Sequence, residues 1–280
     1  ECNLSGDMVY QASDDAATLV CYFGADSKVD IPAELGGKPV TSIGDYAFWN
    51  CRSLTKVTIP EGVTSIGKSA FQYCISLTEV NIPKSVETIG DEAFQTCDSL
   101  TEVTIPEGVT SIGVCAFQFC NSLTEVTIPE GVTSIGDGAF EGCRSLTEVT
   151  ISEGVTSIGE TTFANCRSLT EVTIPKSVTS IGGSAFQSCS SLTKATIPEG
   201  VTSIRGSVFE GCSSLREVTI PKSVTSIESH AFYNCGALAT VYYGGTQEDW
   251  DALKKNIGEE NTPLLNANII CAIQESNGFA

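Results

Sequence analysis

Ile82-Pro83-Lys84-Ser85-Val86-Glu87-Thr88-Ile89-Gly90-Asp91-Glu92-Ala93-Phe94-Gln95-Thr96-Cys97 is one pass of a motif that this chain writes nine times. Its cysteine recurs at Cys51, Cys74, Cys97, Cys120, Cys143, Cys166, Cys189, Cys212 and Cys235, always 23 residues on, and Phe48 to Phe232 and Leu54 to Leu238 keep the same step. A period held without insertion means that each copy stacks on the next, so the chain reads as a solenoid. Leu146, Val149 and Ile151 open a copy, the last two alternating as a strand does when one face is buried. Proline follows that isoleucine in the other copies, as at Pro60 and Pro129, and ends the strand because it has no N–H for a ladder. Gly62, Ser85 or Gly108 turns the chain, and a second short extended piece follows, as at Val63-Thr64-Ser65-Ile66. A small residue and phenylalanine, as at Ala70-Phe71, then close the coil.

The inward set is therefore Leu, Val, Ile, Val, Ile, Ala, Phe and Cys. Burying those side chains in an isolated copy does not offset the entropy of ordering its backbone, so stacking is obligatory. At about 4.8 Å between paired strands, nine copies make a rod or arc roughly 43 Å long. The fold class is a mainly β repeat solenoid of 23-residue coils, with residues 29–243 as the repeats.

The ends depart from the repeat, as solenoid ends must if they are not to aggregate. Residues 1–28 are expected to form an N-terminal cap: Met8-Val9-Tyr10 and Thr18 to Phe23, separated by Ser13-Asp14-Asp15-Ala16, read as a hairpin pairing with the first coil. That coil carries five extra residues through Leu35-Gly36-Gly37-Lys38-Pro39. Residues 244–280 are the expected C-terminal cap. Thr246 caps a short helix with Trp250, Leu253 and Ile257 on one face and Gly258 just past it, and Asn268 to Ile273 reads as a last strand.

A formal charge of -19 with 15 Lys and Arg argues against nucleic acid, whose phosphates need a basic stripe, and against an anionic membrane surface. No run of about 18 apolar residues is present, and Glu1-Cys2-Asn3-Leu4 shows no basic and apolar leader. Thirteen cysteines suggest disulfides, yet nine hold one slot of the repeat and belong to a reduced, buried ladder. Of Cys2, Cys21, Cys115 and Cys271, the first two are left open as a bridge across the N-terminal cap. A column of single thiols without a C-x-x-C pair predicts no zinc. His230 is the one histidine and has no paired nucleophile, and no phosphate-binding glycine loop is present, so neither an enzyme nor a cofactor is expected.

The wording Ile82-Pro83, Val86, Ile89-Gly90, Ala93-Phe94, Cys97 and Leu100 resembles the bacterial leucine-rich repeat of the BspA-like, Treponema pallidum type, over residues 29–243. Gly37-Lys38-Pro39-Val40 and Tyr242-Tyr243-Gly244-Gly245 with Trp250 resemble the terminal segments of such proteins. The resemblance implies a secreted or surface-attached bacterial protein used for adhesion to host or bacterial proteins, with the L-x-x-V-x-I strands on the concave face. Where the common leucine-rich pattern places Asn or Cys after the strand, this chain has Gly62, Ser85, Gly108 or Ser177. The asparagine ladder is missing, and its role passes to hydroxyls or water.

Two sets of outward residues are candidate binding sites. Glu79, Glu102, Glu125, Glu148 and Glu171 form an acidic column beside Thr55, Thr78, Thr101 and Thr124. Carboxylates about 5 Å apart repel by about 0.8 kcal/mol per adjacent pair even in water. The column reads as a solvated anti-aggregation surface, as a face for a basic partner such as a host matrix protein, or, less readily for ligands in a line, as a calcium site. Trp49, Tyr73 and Phe119 lie in slots that are polar in other copies and suggest an aromatic row, from drift or for an interface. Protein binding is the expected function; a carbohydrate-binding surface and a passive spacer are the alternatives.

Overall fold

The computed structural model describes residues 2–272. Most coils lay down two parallel strands that pair with the same strands of their neighbours, shifted by one repeat: Glu125 with Glu148 with Glu171, and Ser134 with Ser157 with Ser180. The main strands form one sheet over Lys28–Asp30, Lys56–Thr58 and Glu79–Asn81, and a second running from Glu125–Ile128 to Asn268–Cys271. The shorter strands run in one ladder from Lys38–Ile43 to Ser180–Ile181, and Ser203–Ile204 and Ser226–Ile227 form a separate pair.

The core between the two ladders is a set of columns. Phe48, Phe71 and their successors to Phe232 are fully buried and stack face to face at 4.9 to 5.7 Å. Each cysteine from Cys74 to Cys235 is buried and donates its thiol hydrogen to the phenylalanine carbonyl of the preceding coil, Sγ to O 3.0 to 3.3 Å. Cys51, in the first coil, is half-buried. The slot therefore takes cysteine for two reasons: it packs as a small hydrophobe, and it satisfies a turn carbonyl that is out of reach of water. At the opposite turn Ser85, Ser177 and Ser223 donate to the carbonyls of Val63, Val155 and Val201 at 2.7 to 2.9 Å. Thiols and hydroxyls together do what an asparagine ladder does in the common leucine-rich pattern.

Glycine at one corner sets how closely coils approach. A Cβ on Gly90, Gly113 or Gly136 would lie 2.5 to 2.8 Å from the backbone carbon of the glycine one coil earlier. That column runs through Gly159 and Gly182 and ends at Arg205, where the shorter ladder is interrupted.

The N-terminal cap is a three-stranded antiparallel meander rather than a hairpin: Cys2–Ser5 pairs with Met8–Ala12, which pairs with Ala17–Tyr22. The added strand turns through Gly6-Asp7, a two-residue hairpin signal, with Gly6 at φ 55. Cys2 and Cys21 sit on the two outer strands, opposite Gln11 and Val9 of the middle one. Two strand spacings, about 10 Å, put them beyond the reach of a disulfide, and both are free thiols. The five extra residues form a second tight hairpin, Glu34–Leu35 against Lys38–Ile43, through Gly36 and Gly37 at φ 61 and 71.

At the other end Thr246 and Asp249 form a capping box for the helix Gln247–Leu253, whose Trp250 and Leu253 close the core. The Asp249 carboxylate accepts from the Thr246 backbone and hydroxyl and from Lys222, and is drawn down to about 2. The helix ends earlier than the expected face: Lys254–Asn256 is a tighter 3-10 turn, and Ile257 lies beyond it, bridged to Ile227. A second helix, Thr262–Asn266, was not evident from the pattern. Buried Asn261 accepts from the Phe232 N–H and donates to the Glu228 carbonyl, standing in for the coil that does not follow. Asn268–Cys271 is the last strand of the described residues, and the expected Ile273 lies outside them.

Candidate functional site

The main strands turn their alternate side chains outward, so sheet register decides what that face displays. Glu79, Glu102, Glu125, Glu148 and Glu171 are all exposed, and Glu102 bridges to Glu125 in line with the pairs above. The column is bounded by cations. Lys56 Nζ lies 2.7 Å from Glu79 Oε1, and Lys194 is the register partner of Glu171. Both surface pairs are exposed and contribute little to stability. The intervening carboxylates have no such neighbour in the column.

The threonines beside them are less free than their exposure suggests. Thr78 Oγ1 donates to the Thr55 carbonyl at 3.0 Å, Thr124 to Thr101 at 3.3 Å and Thr147 to Thr124 at 3.0 Å. These hydroxyls are spent on the backbone, which leaves the carboxylates and the exposed Thr104, Thr127, Thr150 and Thr173 as the polar side chains this face offers. A shallow depression lined by Thr147, Glu148, Thr150, Thr170, Glu171 and Thr173 lies on it. Among the described residues no three or more His, Cys, Asp or Glu side chains converge as a metal set would require.

The aromatic candidates do not make one row. Trp49 occupies the slot of Gln72 and Gln95, whereas Tyr73 and Phe119 occupy the next, two coils apart with Thr96 between them. Trp49 and Tyr73 meet edge to face at 6.4 Å and 82°. Phe119 lies over the following coil, where a Cβ on Gly142 would strike its ring at 2.4 Å. Tyr46, at the same corner as Trp49, is a further exposed aromatic.

Trp49 is fixed by a ladder of amides. Its Nε1 donates to Gln72 Oε1 at 3.1 Å, Gln72 donates to Gln95, Gln95 to Gln118, and Gln118 Nε2 to Glu141 Oε2 at 2.8 Å. The slot of Tyr73 and Phe119 is left-handed backbone in coil after coil, with φ near 60 at Asn50, Tyr73, Thr96, Phe119 and Asn165, and 72 at Gly142 and Gly211. The glycines and asparagines scattered through that slot are the sequence signal for it. The variable residue after Ile-Gly also has a structural use in alternate coils: Asp45, Asp91 and Asp137 accept the backbone N–H of Lys68, Val114 and Glu160 at 2.7 to 2.8 Å.

His230 packs edge to face on Tyr233 at 5.5 Å. No helix of the described residues is long and apolar enough to cross a membrane.

A family profile described as BspA type leucine rich repeat region matches residues 41–153 and 133–251, in six copies. A solved leucine-rich repeat protein of T. pallidum is 32% identical, with 69% of this chain and 91% of that chain covered and a TM-score of 0.65. A leucine-rich repeat protein from Bacteroides ovatus is 29% identical over 96% of this chain and 78% of that one, with a TM-score of 0.66. No curated protein sequence matches the chain.

Proposed function

The chain belongs to the BspA type leucine-rich repeat family, and from that premise we propose that it is an extracellular protein-binding module whose acidic main-strand face takes a basic partner. Leucine-rich repeat solenoids generally bind proteins and are generally not enzymes. The observation that carries the finer reading is the register of Glu79 to Glu171 on an open face between Lys56 and Lys194. Keeping five like charges in a line costs about 0.8 kcal/mol per adjacent pair and returns nothing to the fold, since the core lies on the other side of the sheet. Such a field raises the encounter rate with a cationic surface and makes it depend on salt. Basic segments of a host matrix protein fit that chemistry, and so does a surface location.

The test is binding of the purified chain to a panel of matrix proteins at two salt concentrations, with Glu102→Gln, Glu125→Gln and Glu148→Gln combined. The expected result is a basic partner bound at low salt, weakened by about tenfold or more in the triple variant, with the difference shrinking at high salt. Binding that ignores both salt and the triple variant would remove the acidic face from the proposal, and silence across the panel would favour a spacer.

A further inference from the structure

We propose that the turn edge carrying Trp49, Tyr73 and Phe119 holds a basic, proline-rich peptide segment in the polyproline II conformation. The edge shares no residue with the acidic column, and the two surfaces stand or fall separately.

The first ground is backbone strain. Tyr73 and Phe119 sit at φ 62 and 60, in a left-handed slot that the other coils fill with smaller residues, Asn50, Thr96, Gly142, Asn165, Ser188, Gly211 and Asn234. A bulky side chain there costs on the order of 1 kcal/mol. Part of each ring nevertheless stays in water, Tyr73 and Phe119 being 39% and 37% exposed and Trp49 50%. Strained aromatics kept on the surface twice, at the same slot, are what an interface anchor looks like.

The second ground is spacing. Tyr73 and Phe119 are two coils apart, and the Phe71, Phe94 and Phe117 rings beside them step by 5.1 and 5.2 Å, about 10 Å in all. One turn of polyproline II is three residues at 3.1 Å, about 9.3 Å. A ligand lying along the rod therefore presents the same face to Tyr73 and to Phe119 one turn later. Between them stands the smaller Thr96, and the Trp49 and Tyr73 rings meet at right angles. Polyproline segments dock on surfaces lined by aromatic side chains. Rings at 82° to each other give no common plane for a flat-stacked sugar. The amide ladder from Gln72 to Glu141 holds Trp49 in place before any ligand arrives.

The third ground is charge. Glu141 accepts from Gln118, next to Phe119, at 2.8 Å, and Glu92 accepts from Ser69 and from Gln72, next to Tyr73, at 3.0 and 3.1 Å, with Lys68 3.7 Å from Glu92. Lys or Arg between the prolines of the ligand would meet this acidic border, whereas acidic residues there would be repelled.

The test uses the full chain and the fluorescence of half-exposed Trp49, Trp250 being buried. Three probes are titrated: a peptide repeating Pro-Pro-Lys, a peptide of equal length and charge repeating Gly-Gly-Lys, and a β-linked glucose oligosaccharide. We expect saturable binding of the proline peptide, at least about tenfold tighter than the glycine peptide. Tyr73→Asn and Phe119→Asn should each weaken it about tenfold without lowering the melting temperature, since asparagine already occupies this slot at Asn50 and Asn165. Equal binding of the two peptides, indifference to both Asn variants, a response to the oligosaccharide alone, or no response to any probe overturns the proposal.

Discussion

The rod has two seams, on different faces. In the main strands, Glu79–Asn81 does not pair with the coil above, where Glu102 keeps only a bridge to Glu125. In the shorter strands, Ser180–Ile181 does not pair with Ser203–Ile204. The second seam has a change of sequence beside it: Arg205 takes the corner where glycine lets neighbouring coils touch, although Glu228 takes the same corner one coil on and still donates its N–H to the Ile204 carbonyl at 2.8 Å. The first does not have one in its own coil, because Thr101 to Gly113 repeats Thr124 to Gly136 word for word. The only change on the strand below it is Asn81 in place of threonine, a poorer strand former. Across both seams the core columns continue. Cys97 and Cys212 donate to the Phe71 and Phe186 carbonyls as every other coil does, and Phe186 and Phe209 still stack, at 5.7 Å. Ladders are locally dispensable, then, and the Phe and Cys columns hold the coils together.

The strongest challenge to that conclusion is alkali. Burial pushes the Cys143 and Cys189 thiols from 9.0 up to about 12, and raises those of Cys97, Cys120, Cys166 and Cys212 as well. Above 9.0 the unfolded chain releases these protons and the folded one retains them, so the stabilisation is whole below that pH and is lost as pH rises toward 12. Each buried thiol contributes a slope of about 1.4 kcal/mol per pH unit, so several acting together should give abrupt alkaline unfolding. Denaturant midpoints measured below and within that window check this, and a flat profile would contradict the thiol column.

Next in size is Phe186→Ala against Phe117→Ala. Each should cost about 4 kcal/mol. Only the first removes the stack where a ladder is already absent, so its melt should split in two while that of Phe117→Ala stays single. Identical melts would mean that the seam does not weaken coupling between coils.

The smallest effect is read at the corner itself. Gly113→Ala brings a Cβ within 2.5 Å of the Gly90 backbone and should cost about 2 kcal/mol, with faster amide exchange at residue 113. Arg205→Gly should do the reverse, slowing exchange at residue 205 by restoring its bond to the Ile181 carbonyl, with under about 1 kcal/mol in stability because glycine is the more flexible residue. If exchange at residue 205 does not slow, Arg205 is not the cause of the seam.

Much of this was legible beforehand because a repeat reports its own constraints. The period of Cys51 to Cys235, the inward Val and Ile and the prolines after the strands each follow from one local rule. The capping box at Thr246 was visible, but not the second helix or Asn261, since one buried asparagine in a unique segment has no pattern to betray it. The donor role of the thiols was missed because cysteine in a core slot already has a sufficient reason in packing. The left-handed slots were written in Gly142, Gly211, Asn50 and Asn165, and the aromatics at Tyr73 and Phe119 obscured them. In the binding candidates the acidic column was plain, whereas its limits at Lys56 and Lys194 and the separation of Phe119 from the Trp49 and Tyr73 pair needed register and ring geometry.

The seams also decide how the rod carries a load. Tension along the axis is shared by both ladders at every coil between the seams, but at each seam one ladder and the core columns bear it alone. Because the two open on different faces, a pull that is off-axis loads one seam and relieves the other. The molecule should therefore yield in blocks of several coils rather than unzip one repeat at a time, lengthening in a few large steps.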